Sequence, residues 1–191
     1  MTVTRTLQGV WPSALRVWQR DGRRWAGAGE RGGVRASDLP GIEAVAGDAE
    51  GGLLVSEVFG GRDALWEIDP EGEREPRLVL ENLGGLNGFD FGPDGKLYGP
   101  IWYRGVVARI DVDAETMETV AGDFHTPAAA NFDSKGRLWV LDTGRGHVVR
   151  VDVDSGSKTV VAELQTGLDN LAFDSQDRLF VSNMADNGIY E

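Results

Sequence analysis

Apolar and polar residues alternate in short runs along most of the chain, and the runs recur. "NGFDF" (87–91), "VARIDVD" (107–113) and "VVRVDVD" (148–154) each place apolar side chains at every second position, the pattern of a half-buried strand. Turn signals separate them: Asp94-Gly95 closes a hairpin, and Gly136 and Gly156 mark the corresponding turns further on. No stretch of 40–191 sustains an apolar helical period.

The alternation is organised in a tandem repeat. Leu53, Leu97, Leu138 and Leu179 stand 44, 41 and 41 residues apart, and Ile68, Ile110 and Val151 stand 42 and 41 apart. Two registers with one period make coincidence a poor explanation. Within one unit "NGFDF", "KLYGPIWY", "VVARIDVD" and "METVAG" read as four strands. Four short antiparallel strands in about 40–45 residues is the blade of a β-propeller. The expected fold is therefore all-β, with blades at about 40–84, 85–125, 126–165 and 166–191. By register "NGIYE" (187–191) matches "GHVVR" (146–150), so the last blade is expected to be incomplete. Closure of the ring by further chain or by self-association follows as an expectation, because propellers protect their edge strands. Residues 1–39, with Arg16, Arg20, Arg23, Arg24, Arg31 and Arg35, fit no complete unit and read as a partial blade or lead-in.

One slot breaks the repetition. At the start of the first strand of each blade, the innermost strand of a propeller, stand Glu43, Asn87, Ala128 and Asp169. Equivalent residues of successive blades point towards a common axis, so a Glu, an Asn and an Asp are expected to meet at one mouth of the channel. Such oxygens suit a hard divalent cation; Asn170 adds another amide beside Asp169. The net charge of −12 is compatible with cation binding and argues against nucleic acid, whose phosphates call for Lys and Arg. Apolar residues make up 41% of the chain, but no stretch reaches the roughly 20 needed for a membrane span. The N-terminus lacks a signal-peptide pattern, so the cytoplasm is the expected location. With no Cys, thiolate chemistry is absent. No nucleophilic Ser motif, P-loop or dinucleotide fingerprint is present.

The phrases "LNGFDFGPDGKLYG" and "LDNLAFDSQDRLFVSN" resemble the SMP-30/gluconolactonase/LRE-like family over roughly residues 40–191. That resemblance implies a six-bladed propeller with one divalent cation in its channel, Ca²⁺ first and Mg²⁺, Mn²⁺ or Zn²⁺ as alternatives. It implies Glu43, Asn87 and Asp169 as ligands, and hydrolysis of lactones or related esters as activity. The family generally has an amide ligand where this chain has Ala128; Asn131 is at an odd offset along the same strand. Its Glu also tends to stand further back than one blade before the Asn.

In this reading Asp169 is ligand or general base, and His125, just ahead of an inner strand, transfers protons near neutral pH. His147, at an outer hairpin, reads as structural or exposed. Glu57, Asp142 and Asn183 share a slot at the ends of second strands. There they either orient the ligand-bearing loops or cap turns. Trp102 and Tyr103 either wall a pocket for a small-molecule substrate or pack between blades. Two other classes stand beside the hydrolase. One is a non-catalytic propeller that binds a ligand or partner. The other is a lyase or condensing enzyme of the virginiamycin-lyase or strictosidine-synthase kind, whose repeats are similar.

Overall fold

A computed structural model describes residues 41–47, 51–59 and 62–191, all within one compact unit, Val34–Glu191. The expected lead-in 1–39, its arginines included, lies outside the described residues. The described chain is a β-propeller array. Strands β1 (Ile42–Gly47), β2 (Leu53–Glu57), β3 (Ala64–Ile68) and β4 (Arg77–Glu81) form one antiparallel sheet in chain order. So do β5 (Asp90–Phe91), β6 (Leu97–Ile101), β7 (Val106–Asp111) and β8 (Thr116–Ala121). The third sheet holds β9 (Pro127–Phe132), β10 (Leu138–Asp142), β11 (His147–Val151) and β12 (Lys158–Glu163). The fourth holds β13 (Leu168–Phe173), β14 (Leu179–Asn183) and β15 (Gly188–Tyr190). Among the described residues no helix is long and apolar enough to cross a membrane.

The core consists of three seams between successive blades. Leu54, Leu65 and Val79 of the first blade pack against Leu86, Phe89, Leu97 and Ile110 of the second. Tyr98 and Val107 meet Phe132, Leu138 and Val140 in the next seam, with Tyr98 and Phe132 edge to face at 5.1 Å. Ala129, Leu141 and Val148 meet Leu168, Leu171 and Val181 in the third. Each blade therefore buries one sheet face against each neighbour, as the period-2 pattern requires.

The turn chemistry agrees with the sequence. Asp69 accepts the N–H groups of Glu71 and Arg74, Asp111 that of Ala114, and Asp152 that of Ser155. Gly95 and Gly136 take φ of 77° and 72°, and in the fourth blade Asp177 fills that left-handed position at 60°.

Two segments depart from the pattern. "KLYGPIWY" ends as a strand at Ile101, because Trp102–Arg104 winds into a 3₁₀ turn closed by Gly105 at φ 62°. "NGFDF" pairs as a strand only over Asp90–Phe91. Ahead of it Leu86 still bridges to Ile101 and the Asn87 N–H reaches the Pro100 carbonyl at 3.0 Å, but Gly88 bridges in parallel to Ala129 of the third blade, and its carbonyl accepts the Ala130 N–H at 2.7 Å. A side chain at Gly88 would lie 3.2 Å from the Ala129 methyl. The inner strands of these blades touch only because both positions are small.

Candidate metal centre at the channel mouth

The variable slot is a bulge. Ile42 pairs with Glu57 and Ala44 with Ser56, leaving Glu43 as the extra residue of β1. Pro127 pairs with Asp142 and Ala129 with Leu141, leaving Ala128 extra in β9. In β13 the shift falls between Leu168 and Leu171, at Asp169 and Asn170. A bulge bends the strand and re-aims the extra side chain, a recurrent device beside functional sites. Serines on the partner strands take up the displaced backbone. Ser56 Oγ accepts the Ala44 N–H at 3.2 Å, and Ser182 Oγ accepts that of Asn170 at 3.1 Å. Strict alternation therefore does not run through the slot; the shared "VSE" and "VSN" of β2 and β14 were its sequence signal.

The bulges bring three of the four slot residues together. The Asn87 side chain lies close enough to favour the charged form of Glu43, its own Oδ1 accepting the Gly88 N–H at 2.8 Å, and Asp169 is near enough for its charge to act on Glu43. Burial first, and then the like charge of Asp169, hold the Glu43 carboxyl above the usual carboxylate range; the polar Asn87 side chain opposes them. Burial likewise raises Asp169, against the Asn170 amide that donates to its Oδ2 at 3.3 Å. Two half-buried carboxyls that both resist ionisation make a site that gains from a positive charge. Asn170 is itself exposed, and its described role is on Asp169. Ala128 is 1% exposed and offers no oxygen. Asn131 pairs with Trp139 on the stretch of β9 beyond the bulge, away from the mouth.

His125 is exposed at the end of the loop leading into β9, with Nδ1 2.8 Å from Thr126 Oγ1. Its ring lies over the next hairpin, where a side chain at Gly144 would collide with Nδ1. Among the described residues no hydrogen bond joins His125 to Glu43, Asn87 or Asp169.

The slot at the second-strand ends holds loops. Asp142 accepts the N–H groups of His125 (2.9 Å) and Thr126 (3.1 Å). Burial works against its ionisation, but these donors and Arg145 outweigh it and hold the carboxyl below its usual value. Asn183 donates to the Gln165 carbonyl at 2.8 Å and accepts the Ala185 N–H. Where the second blade has Ile101, Asp63 of the first blade's hairpin binds the N–H groups of Gly84 and Gly85 instead. No periodic signal pointed to Asp63. Glu57 is fully buried: Oε2 accepts from Trp66 Nε1 at 2.9 Å, while Oε1 has no hydrogen-bond partner among the described residues. The position matching His125 ahead of β1 is Pro40, which carries no N–H.

The donor set fits a hard cation in kind: two carboxylates and an amide oxygen. It is short in number, since Ca²⁺ takes six to eight oxygens, so water and substrate would complete the shell. Among the described residues no group of three or more His, Cys, Asp or Glu is placed to hold a metal. Surface depressions of about 380 and 520 Å³ line β6–β8 and the first blade's hairpin; neither is lined by Glu43, Asn87 or Asp169.

No family model and no curated protein matches the chain. Solved structures do match in fold. Virginiamycin B lyase from Staphylococcus aureus superposes with a TM-score of 0.64 at 16% identity, over 82% of this chain and 53% of that one. A presumed gluconolactonase gives 0.59 at 19% identity, over 74% and 57%. A nidogen–laminin complex gives 0.60 at 16%, over 75% and 51%. The chain thus spans about half the length of these structures. At such identities the likeness is one of fold, and the fold is the β-propeller.

Proposed function

We propose that the chain carries the cation site of a divalent-cation-dependent hydrolase of lactones or related esters, of the SMP-30/gluconolactonase/LRE-like kind. The observation that carries this reading is the convergence of Glu43, Asn87 and Asp169 from three blades, with both carboxyls held above their usual range. Glu43, Asn87 and Asp169 would hold the ion, Ca²⁺ in the first instance. When bound, such a cation polarises a carbonyl and lowers the pKa of a coordinated water. The protein's own contributions are distinct. Asn87 favours the charged form of Glu43, the bulge at Asp169 presents a carboxylate that serves as ligand or general base, and Asp142 fixes the loop from which His125 exchanges protons with solvent or substrate.

The test is hydrolysis of a simple γ-lactone by the purified protein with Ca²⁺, Mg²⁺, Mn²⁺ or Zn²⁺, against a chelator-treated control. Activity that requires the cation and is lost at least 100-fold in Asp169→Ala supports the reading. Calorimetry that detects no divalent cation binding would sink it. A second reading, a binding propeller without catalysis, is favoured by Ala128: a buried methyl stands where a further oxygen would complete the shell. Cation binding without turnover of any lactone would select it.

A further inference from the structure

The hairpins joining the second and third strands of the blades end beside the slot. In all four blades one backbone bond ties the hairpin to the residue two before it: Val58 N–H to Gly41, Trp102 to Gly85, Thr143 to Thr126 and Met184 to Gly167. The next residues, Phe59, Tyr103, Gly144 and Ala185, therefore stand at the tips around the same mouth. Two are aromatic and largely exposed, Phe59 at 61% and Tyr103 at 65%.

Other exposed apolar side chains have a structural reason. Leu78, Val160 and Val161 lie on the outer strands β4 and β12, and Ile189, the most exposed, lies on β15, the edge strand of the fourth sheet among the described residues. Ile42 and Met184 occupy positions that pack into a seam elsewhere, as Leu86 and Leu168 do for the first and Thr143 for the second. Phe59 and Tyr103 have no such reason, since their common position is exposed in an inner blade as well as in the first. Tyr103 is also held in place. Its N–H binds the Gly84 carbonyl, and its ring lies so close over Gly85 (φ 85°) that a side chain there would come within 2.9 Å. A pinned, exposed aromatic lying over Gly85, two residues before Asn87, gives contact area at little entropic expense. Across the mouth stand Gly144, Ala185 and Ala128, all small.

We propose that this mouth selects substrates with an apolar body, which lies on Phe59 and Tyr103 while the polar end meets Glu43, Asn87 and Asp169. The inference rests on the hydrolase reading for the polar end but not for the apolar one. The test is a series of γ-lactones with alkyl chains from one to eight carbons, beside an aldonolactone of equal ring size. Calorimetry of the matching γ-lactams, which are not hydrolysed, runs in parallel. The expected result is a rise in kcat/KM and in lactam affinity of about two- to four-fold per methylene over the first several, with the aldonolactone poorest. Phe59→Ser combined with Tyr103→Ser flattens both series, whereas Val161→Ser leaves them steep. Turnover with no dependence on chain length overturns the apolar subsite and leaves the hydrolase standing. Lactam binding that steepens with chain length, without any turnover, supports the subsite and removes the hydrolase. A double variant that alters self-association and leaves both series steep overturns the proposal, because the aromatics then serve contact between copies.

Discussion

Glu43 and Asp169 make opposite demands on the protein with and without a cation. Both carboxyls are raised by burial, and Glu43 further by the charge of Asp169, so ionising both at neutral pH in chelator is unfavourable. Asp169→Asn removes one charge and keeps the shape. Its expected effect in chelator at pH 8 is a rise in Tm of about 2 °C, and under the proposed cation site it should also abolish the Tm rise that millimolar Ca²⁺ is expected to produce in the parent. A fall in Tm in chelator would show that the two carboxyls do not oppose one another. Glu43→Gln is expected to act in the same direction by less, since it also removes the charge that the Asn87 side chain favours. The slot residues were legible in the sequence because a repeat projects equal positions onto one place. Their bulged backbone was not, since only Ser56 and Ser182 mark it and a serine in a strand has many other uses.

At the level of elements, the inner strands are positioned by carboxylates that reach backbone N–H groups of the loops leading into them. Asp142 is the strongest case, being buried and accepting two N–H groups as well as Arg145 at 3.2 Å. Asp142→Ala leaves those donors without a partner and is expected to destabilise by about 2–4 kcal/mol in urea unfolding. It should also broaden or shift the NMR resonances of His125. A loss below about 0.5 kcal/mol would mean that the loop holds itself. Gly88→Ala probes the contact between neighbouring inner strands, where the Ala129 methyl and Ala128 carbonyl stand 3.2 and 3.3 Å from the added carbon. These atoms are backbone or Cβ of the neighbouring strand β9, with no flexible side chain to yield, so about 1–3 kcal/mol is expected. The blade pattern was readable from period-2 alternation and turn glycines. The clamp by Asp63 was not, because it acts from one blade on the next and breaks the repeat that made the rest readable.

At the scale of the whole molecule, those described acids whose ionisation the fold shifts fall into two populations whose pH dependences have opposite sign. Asp69, Asp111, Asp133, Asp142, Asp152, Asp174 and Asp177 all accept hydrogen bonds that hold them below the usual Asp value. Their contribution is fully present above the unfolded value near pH 4 and is lost as pH falls through their lower folded values. Glu43 and Asp169 are raised, so between about pH 4 and their folded values the native state retains protons that the unfolded chain has released. Stability then declines as pH rises through that window. In chelator, the urea midpoint measured from pH 3 to 8 is therefore expected to climb steeply to a maximum just above pH 4 and then to sag. Under the proposed cation site the sag should vanish with millimolar Ca²⁺, because an ion held there would favour the charged form of both carboxyls. The net charge of −12 also weakens a compact state as pH rises, but that effect is spread over the surface and is reduced by salt. Asp169→Asn separates the two: at 0.15 M salt it flattens the decline if the paired carboxyls cause it, and leaves the decline in place if the overall charge does.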